Sequence, residues 1–372
     1  MSSVALVVVD DIAKAYDFGP SHPLRPDRVL LTYDHIRSFG LVDGDRVVEV
    51  SSTPATDDQI LAVHDADFVD VVKGIDSGSV PARAGFEFGL GTGDNPIFRG
   101  MHTAAAAVCG ASLRAAELVA SEEVTHSFNP AGGLHHARRR EASGFCIYND
   151  PAVAIARILA MRPDWRVLYL DVDVHHGDGV QWIFYDEPRI LTVSLHQSGR
   201  YLYPGTGFED EIGGAAARGT SANLPLDPYT GGDDYLWALE RLLTQLAGAF
   251  SPDVVVTQLG ADTHWGDPLA NLGLTMPVYP RMAELLHDVV HEHAHGRWVA
   301  TGGGGYQADT VVPKVWTMHF ARMAGRPEVI PREWLEDRDD GEVSRANRAD
   351  VERRVESVVA ECVPRLTALA SA

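Results

Sequence analysis

The sequence predicts a three-layer α/β fold, a mostly parallel central sheet with helices on both faces. Three observations carry that expectation. Apolar strand-like runs alternate with helical patterns along the chain, the mark of βαβ units. Three of those runs, residues 166–170, 253–259 and 297–300, pass abruptly into polar or glycine-rich residues at their C-terminal ends. Right-handed crossovers bring such ends to one rim of a parallel sheet, where α/β proteins place their sites. No interdomain linker divides the chain before residue 335, so one domain is expected over 1–372, with 335–372 a charged linker plus C-terminal helix.

The elements follow in order. Residues 4–9 are an apolar run, read as the first buried strand. Residues 21–26 are turn-rich, and 27–39 have a helical pattern with Gly40 as its stop. Arg28 falls on or near the buried side of that helix by periodicity, yet taken alone it reads as an ordinary surface arginine. Residues 46–50 alternate like a strand, and Thr56-Asp57-Asp58 opens a short helix to residue 63, with another from Asp67. Residues 76–100 are glycine-rich and irregular, and Asp94 there reads as a turn or cap residue. Met101–Ala120 is an alanine-rich helix suited to close packing. Residues 149–160 form the next helix, with Pro151 in its first turn. Residues 179–185 look helical, 189–196 read as a buried strand, and 233–250 as an amphipathic helix. Helices are also expected over 280–293, 309–323 and 350–369. His287, His291, His293 and His295 read as a solvated histidine cluster and not as a site.

Bulk properties narrow the function. The chain has 372 residues, 45% hydrophobic, enough for a large core. A formal net charge of −21 repels phosphate backbones, which argues against nucleic-acid binding and suits cationic partners. Three scattered cysteines form no framework or metal motif and fit a reducing compartment. The N-terminus lacks a basic region ahead of its short apolar run, and no apolar run approaches membrane-spanning length. A cytoplasmic protein without membrane contact is the expectation.

The chemistry concentrates in the stretch Asp171-Val172-Asp173-Val174-His175-His176-Gly177-Asp178-Gly179. Strand side chains alternate faces, so Asp171, Asp173 and His175 are expected to point the same way. Gly177 and Gly179 then allow a tight turn. Asp262, beyond the 253–259 strand, is the candidate for a further ligand. Asp173, His175 and Asp262 would give a metal three protein ligands and leave positions open, the pattern of a catalytic site. Nitrogen-plus-carboxylate ligation suits zinc, with iron(II), cobalt and manganese also open. Such an ion lowers the pKa of water and polarises a carbonyl. The pair His135-His136 sits on a glycine-rich loop and is the candidate proton shuttle. Gly302–Gly305 would let backbone approach closely and would present Tyr306, whose hydroxyl suits an oxyanion. Together these parts suggest hydrolysis of an amide.

On these motifs the sequence resembles the arginase–deacetylase superfamily and, within it, the zinc-dependent histone deacetylase family. The similarity is greatest to the stand-alone bacterial acetoin-utilisation type, close to class I. The matching motifs are His22-Pro-Leu-Arg-Pro26, Gly132-Gly-Leu-His-His136-Ala, Glu141-Ala-Ser-Gly-Phe145-Cys-Ile-Tyr-Asn149-Asp150, Asp171 to Gly179, Pro204-Gly-Thr-Gly207, Gln258-Leu-Gly-Ala-Asp262 and Gly302 to Tyr306. They span about four fifths of the chain.

The resemblance implies one zinc ion on Asp173, His175 and Asp262. It implies His136 as general base and acid, His135 as its electrostatic companion, and Asp171 and Asp178 as the carboxylates orienting the two. Tyr306 would donate to the scissile carbonyl oxygen. Gly144, Phe145 and Tyr203 would line a narrow tunnel, Tyr203 standing where the family often has phenylalanine, and Leu269 matches another wall position. Asp94 matches a rim carboxylate that grips the substrate backbone, and Arg28 an arginine of an inner channel for acetate. A structural potassium ion is implied beside the zinc, on Asp171, Asp173, His175, Ser194 and Leu195. Arginase-like relatives bind two manganese ions through carboxylates at positions that here hold Gly177 and His264, so the binuclear reading is rejected, with an influence of His264 on the single metal left open.

The implied activity is hydrolysis of the acetyl amide of N-acetyl-lysine in proteins. The alternative is a deacetylase of acetylated polyamines or other small acylated amines. A non-catalytic acyl-lysine reader fits poorly, because a reader has no use for His136 and Tyr306. The implied partners are an acetylated protein or acetylated amine, with an acetyl-CoA synthetase suggested by the acetoin-utilisation resemblance. The oligomeric state stays open.

Overall fold

The structure is a computed structural model that describes residues 3–9, 16–345 and 347–370. The other positions of the expected 1–372 span, including 346 in its linker, lie outside the described residues. Eight strands form one sheet: β1 Val4–Val8, β2 Val47–Ser51, β3 His126–Asn129, β4 Val167–Asp171, β5 Ile190–Gln197, β6 Ser221–Leu226, β7 Val254–Gln258 and β8 Trp298–Thr301. Their order is β2-β1-β3-β8-β7-β4-β5-β6, and every pairing is parallel. A parallel sheet needs a crossover between strands, and helices supply most of them; the β5–β6 crossover, residues 198–220, is turn and loop.

Why these residues make strands is plain for most of them. Val4–Val8, Val167–Asp171 and Val254–Gln258 are nearly unbroken runs of branched apolar residues, fully buried along their length. Two strands escape the sequence reading. β3, His-Ser-Phe-Asn, carries three polar residues in the middle of the sheet. Each finds a buried partner: Ser127 Oγ donates to Ala115 O at 2.9 Å, Asn129 Nδ2 to Ser112 Oγ at 2.9 Å, and His126 Nδ1 to Met323 O at 3.2 Å. β6 holds Pro225, which an edge strand tolerates.

Met101–Ala120 lies in the core, with alanine, glycine or serine at half of its positions. A Cβ at Gly110 would run into the Thr53 carbonyl, so small residues here set how closely this helix meets the chain after β2. Among the described helices it alone passes the length and composition test for crossing a bilayer, contrary to the expectation that no run would. Yet 83% of that window is buried inside the fold, as a core helix requires. The segment 76–100, expected to be irregular, contains the 3-10 helix Ala82–Phe88.

The charged linker is not loose. A 3-10 turn, Arg332–Leu335, leads into it, and it holds a short helix, Asp340–Val343. Asp337 between them accepts hydrogen bonds from His264 Nε2 at 2.8 Å, Trp265 Nε1 at 2.8 Å and the Met276 amide at 2.9 Å. The terminal helix Arg348–Ala370 then packs on Gly232–Phe250 and on β6. It is tied by Arg348 to Asp234 at 2.7 Å and by Arg354 to Asp227 at 3.0 Å. His264, which could have faced a metal, is turned into the Asp337 contact.

Removing Asp337 leaves donors on two rings and one amide unpaired in a nearly buried place. Asp337→Ala should cost roughly 2–4 kcal/mol, read as a lower denaturant midpoint at unchanged m-value.

Candidate metal centre and active site

The four central strands β3, β8, β7 and β4 are neighbours, and the residues after their C-terminal ends converge. From β4 come Asp171, Asp173, His175 and Asp178; from β7, Gln258 and Asp262; from β8, Gly302–Tyr306; from β3, His135 and His136.

Asp173, His175 and Asp262 are buried, and one donor atom of each lies within 4.8 Å of the others. His175 Nδ1 is 3.1 Å from Asp173 Oδ1 and 3.2 Å from Asp262 Oδ2. A tetrahedral zinc with bonds of about 2.0 Å needs donors about 3.3 Å apart, so the spacing fits such an ion. The second oxygen of each carboxylate is held by hydrogen bonds, and Asp173 Oδ1 also accepts from the His175 amide at 3.0 Å. Asp173 Oδ2 accepts from Gln258 Nε2 at 2.5 Å and the Gly304 amide at 2.7 Å, and Asp262 Oδ1 accepts from the Val174 amide at 2.9 Å. Burial works against charge on His175, but Asp173 and Asp262 outweigh it and lift the imidazole to about 10.

β4 ends at Asp171, whose carboxylate meets His135 Nδ1 at 2.7 Å and accepts from Tyr169 Oη, two residues back on the same strand, at 2.6 Å. His136 is held in parallel fashion, Nδ1 to Asp178 Oδ1 at 2.7 Å, while Arg138 donates to Asp178 Oδ2 at 2.9 Å. The two imidazoles meet Nε2 to Nε2 at 3.1 Å. Two cations cannot share that contact. His136 is driven down to about 4 by burial and by His135, while Asp171 and Asp173 overcome burial at His135 and raise it to about 9.

Tyr306 follows the glycines. Its amide donates to Asp267 Oδ2 at 2.9 Å, and burial with Asp262 and Asp173 nearby pushes its phenol well above the usual tyrosine value, so the hydroxyl stays a donor. A Cβ at Gly304 would collide with both the Asp262 and Asp173 carboxylates, the close approach that sequence reading asked of these glycines.

Of the residues expected to line the tunnel, Gly144, Phe145 and Tyr203 lie around His136 and Tyr306. Tyr203 meets His136 edge-on with ring centres 5.0 Å apart, and its hydroxyl is hydrogen-bonded to Ser143 Oγ. Phe145 meets Tyr306 edge-on at 5.7 Å. Gly144 and Phe145 both have left-handed backbone, φ 50° and 72°. For a phenylalanine this is strained, and Tyr16 Oη holds it by donating to Phe145 O at 2.9 Å and accepting from the Ile147 amide at 2.9 Å. Leu269 is partly exposed, 36%. Asp94 is exposed, and its backbone oxygen accepts from His22 Nε2 at 3.2 Å; His22 in turn packs against Phe145. That chain of contacts puts Asp94 on the Phe145 side of the mouth.

Arg28 corrects the reading of it as a surface arginine. It is buried, donates to Gly303 O at 2.6 Å and Gly305 O at 3.2 Å, and lies over the Trp316 ring. Burial is tolerated because backbone carbonyls take its protons. It lines a cavity of about 20 Å³ with Leu24, His135, His136, Asp173 and Tyr306, and a second of about 20 Å³ that continues past Leu24 and Leu134 to Arg25 and Tyr16. Each has room for one or two waters.

Ser194 and Leu195 sit on β5 beside β4, with Ser194 paired in register to Asp171. Ser194 Oγ is engaged by His196 Nδ1 at 2.8 Å. Residue-level reading missed the supports: Gln258; Asp150, which accepts from the Gly133 and Leu134 amides at 3.0 and 2.8 Å; and Asn149, whose Nδ2 donates to the carbonyls of His135 and Ala137. The one signal for them was their place inside the matching motifs.

Comparison with known proteins agrees with this geometry. A model of the histone deacetylase domain matches residues 22–323. Acetoin utilization protein AcuC of Bacillus subtilis (strain 168) is 43% identical over 326 residues, 87% of this chain and 83% of that one. The protein of the same name from Staphylococcus aureus (strain MSSA476) is 33% identical over 337 residues, 90% of this chain and 86% of its own. Among solved structures, an HDAC homolog complexed with SAHA superposes with a TM-score of 0.83 at 29% identity, over 96% of this chain and 100% of that one. An HDAC homolog from Aquifex aeolicus gives a TM-score of 0.82 at 29% identity over the same shares. With a domain match over most of its length and a relative above two-fifths identity, the chain belongs to the histone deacetylase family and is a hydrolytic deacetylase.

Proposed function

We propose that the protein is a zinc-dependent deacetylase of acetyl-lysine in proteins, with residues 1–372 as one catalytic domain. The observation that carries this reading is the pairing of two imidazoles, each anchored through Nδ1 to a buried carboxylate, beside a three-donor group of metal-ligand spacing. Zinc on Asp173, His175 and Asp262 would supply Lewis acidity when bound. A potassium ion at Asp171, Asp173, His175, Ser194 and Leu195 belongs to the same reading, supported by the register of β4 and β5.

The chain's own groups do the rest. Asp178 holds His136 with its proton on Nδ1, so Nε2, which faces His135 Nε2 at 3.1 Å, is the basic nitrogen that would take a proton from attacking water and return it to the leaving amine. His135, held by Asp171, is the charged neighbour that tunes it. Tyr306 donates to the developing oxyanion, held in place through Asp267. Phe145, Gly144, Tyr203 and Leu269 wall an aliphatic side chain, and Asp94 at the rim grips a substrate backbone amide. Arg28 and the cavities it lines offer acetate a way out. A cytoplasmic location is supported by three buried, free cysteines.

Tyr306→Phe should lower kcat by roughly 100-fold or more while zinc content, by elemental analysis, stays at the wild-type level; intact turnover would remove Tyr306 from the mechanism. Asp262→Asn should lose the catalytic zinc and the activity together, checked by the same analysis after dialysis.

Substrate choice is tested by acetate release from an acetyl-lysine peptide and from an acetylated polyamine, with zinc and then with a hydroxamate chelator. The expected result is chelator-sensitive turnover favouring the peptide, and Asp94→Ala should raise KM for the peptide. Preference for the polyamine would move the substrate to small amines and leave the catalytic roles standing.

A further inference from the structure

The sheet has a second histidine cluster at the opposite rim. His126 is the first residue of β3, at the end away from His135 and His136. It faces His287 and His291, which sit one turn apart on Val278–His293 and so share a helix face. Ring centres are 5.4 Å apart for His126–His287, 5.2 Å for His126–His291 and 4.3 Å for His287–His291. The solvated cluster expected from sequence is thus divided. His287 and His291 join a histidine from a distant strand, while His295 is exposed and His293 lies beside Glu292 at 4.0 Å.

We propose that His126, His287 and His291 bind a divalent first-row transition ion of the zinc, nickel or copper kind. One nitrogen from each lies within 4.8 Å of the others. The second, independent observation is His126 itself. It is fully buried, its Nδ1–H is spent on Met323 O at 3.2 Å, and its Nε2 has no hydrogen-bond partner. A buried imidazole with Nδ1 donating to a carbonyl and a bare Nε2 lone pair is the form that ligates metals. An unpaired buried polar atom otherwise carries a cost.

The neighbours fit a cation in part and limit it in part. Arg322 disfavours positive charge at His287, but its guanidinium is itself paired with Glu284 at 3.1 Å. Asp288 Oδ1 lies 3.8 Å from His287 Nδ1 and favours positive charge there. Burial, then His287 and His291, disfavour positive charge on His126, and burial with His291 disfavours it on His287. Gly296, in left-handed backbone, backs the His291 ring closely: a Cβ there would stand 3.0 Å from Cε1. Three imidazoles and no carboxylate favour zinc, nickel or copper over magnesium or calcium. Ligand nitrogens around a tetrahedral zinc stand about 3.4 Å apart, so the rings must draw in, which His287 and the exposed His291 can do by rotating. The exposed side leaves a position for water. An ion here would clamp the 278–293 helix to β3 and stabilise the fold without touching the catalytic rim.

The test uses the full chain, equilibrated with zinc, dialysed and analysed for metal per chain, with the thermal midpoint measured alongside. Wild type should hold one more equivalent than His287→Ala or His291→Ala, and zinc should raise its midpoint more than theirs. Both variants should keep deacetylase turnover, since their residues lie on the far rim. The double variant His293→Ala/His295→Ala should match wild type. Equal zinc and equal midpoint shifts in wild type and His291→Ala would overturn the proposal. So would an equal loss in the His293/His295 variant, which would mean adventitious surface histidine binding.

Discussion

Asp171, Asp173, Asp178 and Asp262 are all completely shielded from water and crowd the C-terminal end of four neighbouring strands. Buried carboxylates are costly unless each is hydrogen-bonded and paired with positive charge. Much of the surrounding structure answers that demand. Imidazoles take one oxygen each from Asp171 and Asp178, Arg138 takes the second oxygen of Asp178, and backbone amides at Val174 and Gly304 take others. One oxygen each from Asp173 and Asp262 stands beside the His175 ring, a concentration of negative charge that a divalent ion would neutralise. The same crowding divides the histidine pair into a charged and a neutral member, the difference that a proton shuttle needs.

Glycine is the second requirement. The segment after β8 passes so near the carboxylates that Gly304 has no room for a side chain, and its amide becomes a ligand of Asp173. The carbonyls on either side, Gly303 and Gly305, point the other way and hold Arg28. One short loop therefore satisfies an anion on one side and a cation on the other. It then delivers Tyr306, whose amide Asp267 fixes. Backbone groups and buried side-chain pairs together preorganise the site, as the high cost of moving charge in a dry cavity requires.

The mouth is built differently. Phe145 adopts a backbone conformation unfavourable to its type, held by Tyr16 from a distant segment, and Tyr203 stands against His136 with its hydroxyl on Ser143. Arg348–Ala370 covers the far flank, and Asp337 fastens the chain leading to it beside His264. That contact turns His264 away from the metal group, although it stands only two residues after Asp262.

The sequence by itself determined the parallel α/β class and the identity of the donor residues. Apolar runs with polar ends and glycine clusters are local patterns, readable without knowing what they contact. The motifs carried the site further, to the roles of His135, His136 and Tyr306 as a resemblance. Three things were decided only by tertiary structure. β3 was hidden because its serine, asparagine and histidine look like loop residues until their partners on Met101–Ala120 and at Met323 are in place. Arg28 looked like a surface residue until the carbonyls of Gly303 and Gly305, some 275 residues away, enclosed it. The histidines of the 278–293 helix looked merely solvated until His126 came from another strand to face two of them. In each case the deciding partner is remote in the chain, and a polar side chain's free energy depends on its partners far more than on its own type.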